Sequence, residues 1–167
     1  MRVETRQAPP EEGQIRDAVN LTRQEHYAKA LKIFETSLPT LTQGDLQSKR
    51  LAAGAFSFYG LCVAMVNRKY SQGVEYCKVS IKSNFLDPDH RYNLAMVYLE
   101  RGDRKKAVET LNAGLRVQPG STKINSVLDI IGRRRPPVIR FLGRSNPVNI
   151  WLGKVRARLD ASTTARR

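Results

Sequence analysis

PDHRYNLAMVYLERGDRKKAVETLNAGLRVQP, residues Pro88–Pro119, decides how the rest of the chain reads. Leu94, Ala95, Tyr98 and Leu99 recur at helical spacing, i, i+1, i+4 and i+5, which puts them on one side of a helix. Asp87-Pro88-Asp89 is a helix entry, with a capping side chain and a proline suited to the first turn. Gly102-Asp103 ends that helix, because glycine accepts the left-handed conformation of a helix stop. A second amphipathic run, Ala107, Val108, Leu111 and Leu115, follows and stops at Pro119-Gly120. Ala95, Ala107 and Gly114 are small where two helices would cross closely, and a bulky side chain there would force the pair apart. One helix–turn–helix unit of this length cannot bury its apolar face alone, so the stretch predicts a stack of such units.

Leu94, Ala95, Tyr98, Gly102, Ala107, Leu111, Gly114 and Pro119 together resemble the motif of the tetratricopeptide repeat, or TPR, family. The departure is Arg91, which stands where the family has an aromatic near the start of the first helix. Ala55–Lys82 reads as a second unit, with Phe56, Tyr59, Gly60 and Val63 on its first helix and Gly73, Val74, Cys77 and Ser80 on its second. Gly60 to Ala95 is a step of 35 residues and Gly73 to Ala107 one of 34, in keeping with a period of about 34. Gly13–Leu41 is a poorer third copy, with Ile15, Ala18 and Val19 followed by Tyr27, Ala30, Leu31, Phe34 and Leu38. The step from Ala30 to Gly73 is 43 residues, so an insertion lies between these units. Gly44-Asp45 supplies a stop and a new cap within it, and the helix from Asp45 is expected to run to about Val66. Ser121–Gly132, with Ile124, Val127, Leu128 and Ile131, takes the place where such an array carries a covering helix.

The expected architecture is all-α: a right-handed superhelical stack of antiparallel helix pairs, an α-solenoid. Residues 1–12 are expected to be a flexible N-terminus and 13–132 the array, with units at about 13–41, 53–86 and 88–120 and the covering helix at 121–132. Residues 133–167 form a basic segment, with a helix at about 147–160 that starts at Ser145-Asn146-Pro147. That segment holds ten Lys and Arg against one acidic residue, a net +9 of the chain's +14. Arg133, Arg134, Arg135, Arg140, Arg144, Lys154, Arg156 and Arg158 carry most of it, around Val138, Ile139, Phe141, Leu142 and Trp151. Three readings stand open. The apolar residues fold back on the array with the arginines as a solvated rim; the basic helix lies on an anionic membrane surface; or the strip binds nucleic-acid phosphates.

No apolar run approaches the roughly 20 residues that span a bilayer. The polar start MRVETRQAPPEEGQ is unlike a signal peptide, and a cytoplasmic location, peripheral to a membrane if the basic segment lies on one, is the expectation. Cys62 and Cys77 read as small buried hydrophobes, with a disulfide or redox pair as the alternative. The chain shows no phosphate-cradling glycine loop, no zinc-peptidase pattern and no nucleophile elbow. His26 and His90 read as exposed polar residues. No catalytic residue, metal, cofactor or small-molecule substrate is expected.

The resemblance implies a concave groove lined by the first helix of each unit. Its candidate residues here are Tyr92, Asn93, Met96 and Leu99, joined by Ser57 and Leu61 from the unit before. For Tyr92 and Met96, packing between adjacent units is an equal alternative. The family's best-known site clamps a peptide carboxylate with basic residues; Asp89 and Asn93 occupy positions where the last repeat would need them, so no such clamp is expected. The expected function is non-catalytic: an adaptor or assembly factor that takes a peptide or partner protein in the groove. The alternative is a membrane-surface or nucleic-acid-associated accessory protein that recognises its target through the basic segment.

Overall fold

Short loops between amphipathic runs leave each helix little choice but to fold back on the one before it. A computed structural model describes residues 10–131, 147–148, 151–152 and 155, and the described residues are helical with no strand. The chain divides into two units, Met1–Ile131 and Gly132–Arg167. In the first, the helices are α1 (Pro10–Arg23), α2 (Tyr27–Gln43), α3 (Leu46–Asn67), α4 (Tyr70–Ser83), α5 (Pro88–Glu100), α6 (Arg104–Val117) and α7 (Thr122–Ile131). In the second, Pro147, Val148, Trp151, Leu152 and Val155 are helical, with Val148 and Trp151 exposed.

Each helix of the first unit packs against its neighbour in sequence, and α3 also lies against α1 and α5. The apolar side chains therefore gather into three successive clusters. Ile15, Phe34 and Phe58 anchor one between α1, α2 and α3. Leu61, Val74 and Leu94 anchor the next between α3, α4 and α5. Ala95, Leu111, Ile124 and Leu128 close the last between α5, α6 and α7. Tyr27 belongs to the first two and Tyr98 to the last two, so the clusters join without a gap.

The hairpin turns share one device. Gly102 after α5 has φ +85°, Glu25 after α1 has φ 64° and Arg68 after α3 has φ 56°. At α5 the Asp103 amide donates to the Tyr98 carbonyl and the Gly102 amide to that of Leu99; at α1 the His26 amide donates to Leu21 and the Glu25 amide to Thr22. This paired closure satisfies carbonyls that a helix end would otherwise leave open. Asp103 then caps α6 by accepting from the Lys106 amide, as Asp45 caps α3 through the Ser48 amide.

Several boundaries differ from expectation. α1 begins at Pro10, ahead of residue 13, with proline at its first position and Glu11 and Glu12 in its first turn, where the helix dipole favours acid. α2 runs through Pro39 to Gln43. The apolar stretch missed in the sequence is α3, which by length and composition alone could cross a bilayer; half of its most apolar window is buried within the fold.

α3 and α4 cross closely at Gly60 and Gly73. A Cβ on Gly60 would lie 2.6 Å from the Gly73 carbonyl oxygen, and one on Gly73 would lie 2.6 Å from that of Gly60. Hydrogen at both positions is what lets the two backbones meet.

Candidate functional site

α5 is the helix on which the candidate groove depends. Asp87 starts it by accepting from the Asp89 amide at 2.8 Å, with Pro88 in the first turn. Its sides toward α3, α4 and α6 bury His90, Arg91, Asn93, Leu94, Ala95 and Val97. Pro88, Asp89, Tyr92, Met96, Tyr98 and Leu99 remain half-buried, and of these Asp89, Tyr92, Met96 and Leu99 form a line at helical spacing. Tyr92, Met96 and Leu99 of the expected groove thus keep accessible surface. Ser57 (0% exposed), Asn93 (1%) and Leu61 (3%) do not, so their side chains are closed to a ligand. The reason is α3: packed by α1, α2, α4 and α5, it has little open face along this stretch.

One end of the line is charged. Asp89 accepts a hydrogen bond from Arg23 Nη2 at 3.0 Å, from the end of α1, and its other oxygen lies 3.7 Å from Lys123 Nζ of α7. Both cations also sit on aromatic faces: Arg23 is 5.4 Å from the Phe58 ring centroid and Lys123 is 3.9 Å from that of Tyr92. Burial pulls the Lys123 pKa down, against the pull of Asp89, which raises it. Beside this end a recess of about 20 Å³ is lined by Thr22, Glu25, Tyr27 and Leu61 among others. Glu25, in the wall of the same recess, and Asp87, whose charge reaches Lys123, add negative charge to this end, so the two cations are balanced by acid. Burial, with Glu25 adding to it, pushes the Tyr27 phenol up to about 12. The cluster was hidden in the sequence because Arg23 and Asp89 are 66 residues apart.

Behind the line lies a polar network. His90, expected to be exposed, is 2% exposed. Its Nδ1 is 2.8 Å from Ser57 Oγ, and Asn93 Nδ2 donates to the same hydroxyl at 3.2 Å. The Ser57 amide donates to Ser80 Oγ at 2.7 Å, which in turn donates to the Ala53 carbonyl at 2.7 Å. Those two backbone groups are the ones an ideal helix would pair directly, so a side chain of α4 is spliced into the ladder of α3. His90 Nε2 lies 3.7 Å from Asp87 Oδ2, which completes a Ser–His–Asp row. The row is no nucleophile relay: Ser57 has no exposed surface and its hydroxyl is engaged by two side chains. It ties α3 to α5. Burial holds the His90 imidazole below its ordinary value, with Asp87 and Asp89 working against the shift.

Arg91, the departure from the repeat pattern, is 4% exposed. Its guanidinium stacks 4.1 Å from the Phe85 ring centroid and donates to the Phe85 carbonyl. The aromatic face therefore comes from the loop before α5. Cys62 and Cys77 are buried and free, as the small-hydrophobe reading has them. No group of three or more His, Cys, Asp or Glu side chains among the described residues could hold a metal ion.

A cavity of about 490 Å³ opens between α1, α3 and the start of α5, with Arg50, Leu51, Phe58, Asp87 and His90 in its walls. Arg133, Arg134, Arg135, Arg140, Arg144, Lys154, Arg156 and Arg158 lie outside the described residues. No protein-family model matches the chain, and no curated protein matches it.

Proposed function

We propose that this chain is a non-catalytic protein-interaction module, a TPR-like right-handed superhelical stack that takes a peptide or partner surface along α5. The observation that carries the reading is the line Tyr92, Met96 and Leu99. α5 is packed by α3, α4 and α6, yet keeps these three large side chains half-exposed in one row. An amphipathic or extended peptide needs such a row of apolar contacts, and Met96 supplies an adaptable one. Support for repeats comes from the left-handed turn residues Arg68 and Gly102, which are 34 residues apart.

The test uses the whole chain and peptides selected on it from a random display library. Changing Tyr92 and Met96 together to Glu should weaken binding at least about tenfold, since both contacts would become desolvated charges. The single change Met96→Lys is the milder control for folding, checked by circular dichroism. Unchanged affinity in both folded variants would overturn the groove.

A second reading follows from the charge: residues 133–167 carry +9 of the chain's +14. On that reading the basic segment holds the protein to nucleic acid or an anionic membrane. Binding of a duplex or single-stranded oligonucleotide would then fall steeply with salt through counterion release. Vesicle binding would require anionic lipid and vanish on neutral lipid.

A further inference from the structure

Away from the α5 line, between α2, α3 and α4, lies a second cavity, of about 270 Å³. Phe34, Phe56, Tyr59 and Tyr76 wall it, and Glu35 and Pro39 of α2 line it as well. The rings stand at different inclinations. Tyr59 and Tyr76 are 4.8 Å apart and tilted by 51°, Phe34 meets Tyr59 edge-on at 6.0 Å, and Phe56 lies parallel to Tyr76 at 5.6 Å. They form a corner with aromatic surface on more than one side.

A carboxylate stands at this corner. Glu35 is exposed, and its carboxylate makes no ion pair with any described residue. Its negative charge is felt at Tyr59, whose pKa is raised by burial first and by Tyr76 and Glu35 next. Glu35 therefore presents a carboxylate with no ion-pair partner among the described residues beside an aromatic wall.

The geometry points to this cavity as a site for an arginine side chain of a partner peptide. A guanidinium stacks on rings, carries a charge that Glu35 complements, and brings five N–H donors for the carboxylate oxygens. A permethylated ammonium would bring no donor, and a proline segment no charge. The protein already contains this contact in miniature: Arg91 stacks on Phe85 while donating to a backbone carbonyl.

The experiment titrates the full chain with three capped tripeptides, Ac-Gly-Arg-Gly-NH2 and its lysine and citrulline counterparts, and follows ring and amide resonances. The arginine peptide is expected to bind saturably and to shift Tyr59, Tyr76 and Phe56. Citrulline, isosteric but uncharged, should bind at least about tenfold more weakly, and lysine should fall between them. Glu35→Gln, at an exposed position with little bearing on folding, should cost the arginine peptide a similar factor. Equal binding of arginine and citrulline, full affinity in Glu35→Gln, or shifts confined to residues outside this cavity would each overturn the assignment.

Discussion

Replacing Gly60 by alanine would place a methyl carbon 2.6 Å from the Gly73 carbonyl oxygen and 2.9 Å from Tyr76 Cβ. Neither obstacle is the end of a flexible side chain, so α4 itself must retreat, by about 0.8 Å to reach the 3.4 Å of ordinary contact. A gap of that size forfeits roughly a quarter to a half of the dispersion between facing atoms. The atoms concerned belong to the interface where Leu61, Ala64, Val74 and Cys77 are buried. Overpacking of this kind costs about 1–3 kcal/mol, and the site is at the upper end because backbone blocks it. Alanine returns about 1 kcal/mol through helix propensity. The net expectation is a loss of about 2 kcal/mol, or about 8 °C in Tm. Gly54→Ala is the matched control in the same helix: its Cβ meets nothing within 4 Å, so only the propensity gain of about 1 kcal/mol remains. Gly114→Ala meets Ile124 Cδ1 at 2.7 Å, a side-chain end that can turn aside, and should be near neutral. Urea denaturation of the three variants reads the order directly. Gly60→Ala as stable as Gly54→Ala would refute the crossing.

Three further outcomes are expected. His90 has a folded pKa below its ordinary value, so the unfolded chain binds the proton first on acidification. Its contribution to stability should be complete above about pH 6.5 and decline below it, by at most about 1.4 kcal/mol per pH unit; a folded His90→Asn variant that kept the same decline would contradict this. Ser80→Ala removes the hydroxyl between the Ser57 amide and the Ala53 carbonyl and should cost about 1–3 kcal/mol in denaturation, whereas a neutral effect would show that the ladder closes on its own. Burial pushes the Cys62 thiol up to about 11 and the Cys77 thiol up as well, so neither should react with an aromatic disulfide reagent until the chain unfolds; prompt labelling of the native protein would rule that out.

What could be read in the sequence depended on whether a feature announces itself locally. Gly102 did, because glycine marks a left-handed turn. Glu25 and Arg68 adopt that conformation without the marker, held at their helix ends by backbone hydrogen bonds. The long helix after Asp45 was legible from its stop and cap, and it runs Leu46–Asn67. Pro39 is exposed on α2 and leaves the helix uninterrupted. In the candidate site, Tyr92, Met96 and Leu99 share one side of α5 by spacing alone. Ser57 and Leu61 were misleading as contact residues, because how much of α3 stays open depends on the four helices around it. The burial of His90 hangs on Ser57, 33 residues away, and no local pattern carries that.

On the proposed reading, partners are held along α5. Backbone amide shifts of the isotope-labelled full chain, recorded while a display-selected peptide is added, test it most directly. The largest changes are expected on Tyr92, Met96 and Leu99 and on the neighbouring Arg23 and Lys123. Changes confined to residues 133–167, or to the α2–α4 side around Tyr59 and Tyr76, with α5 silent, would contradict it.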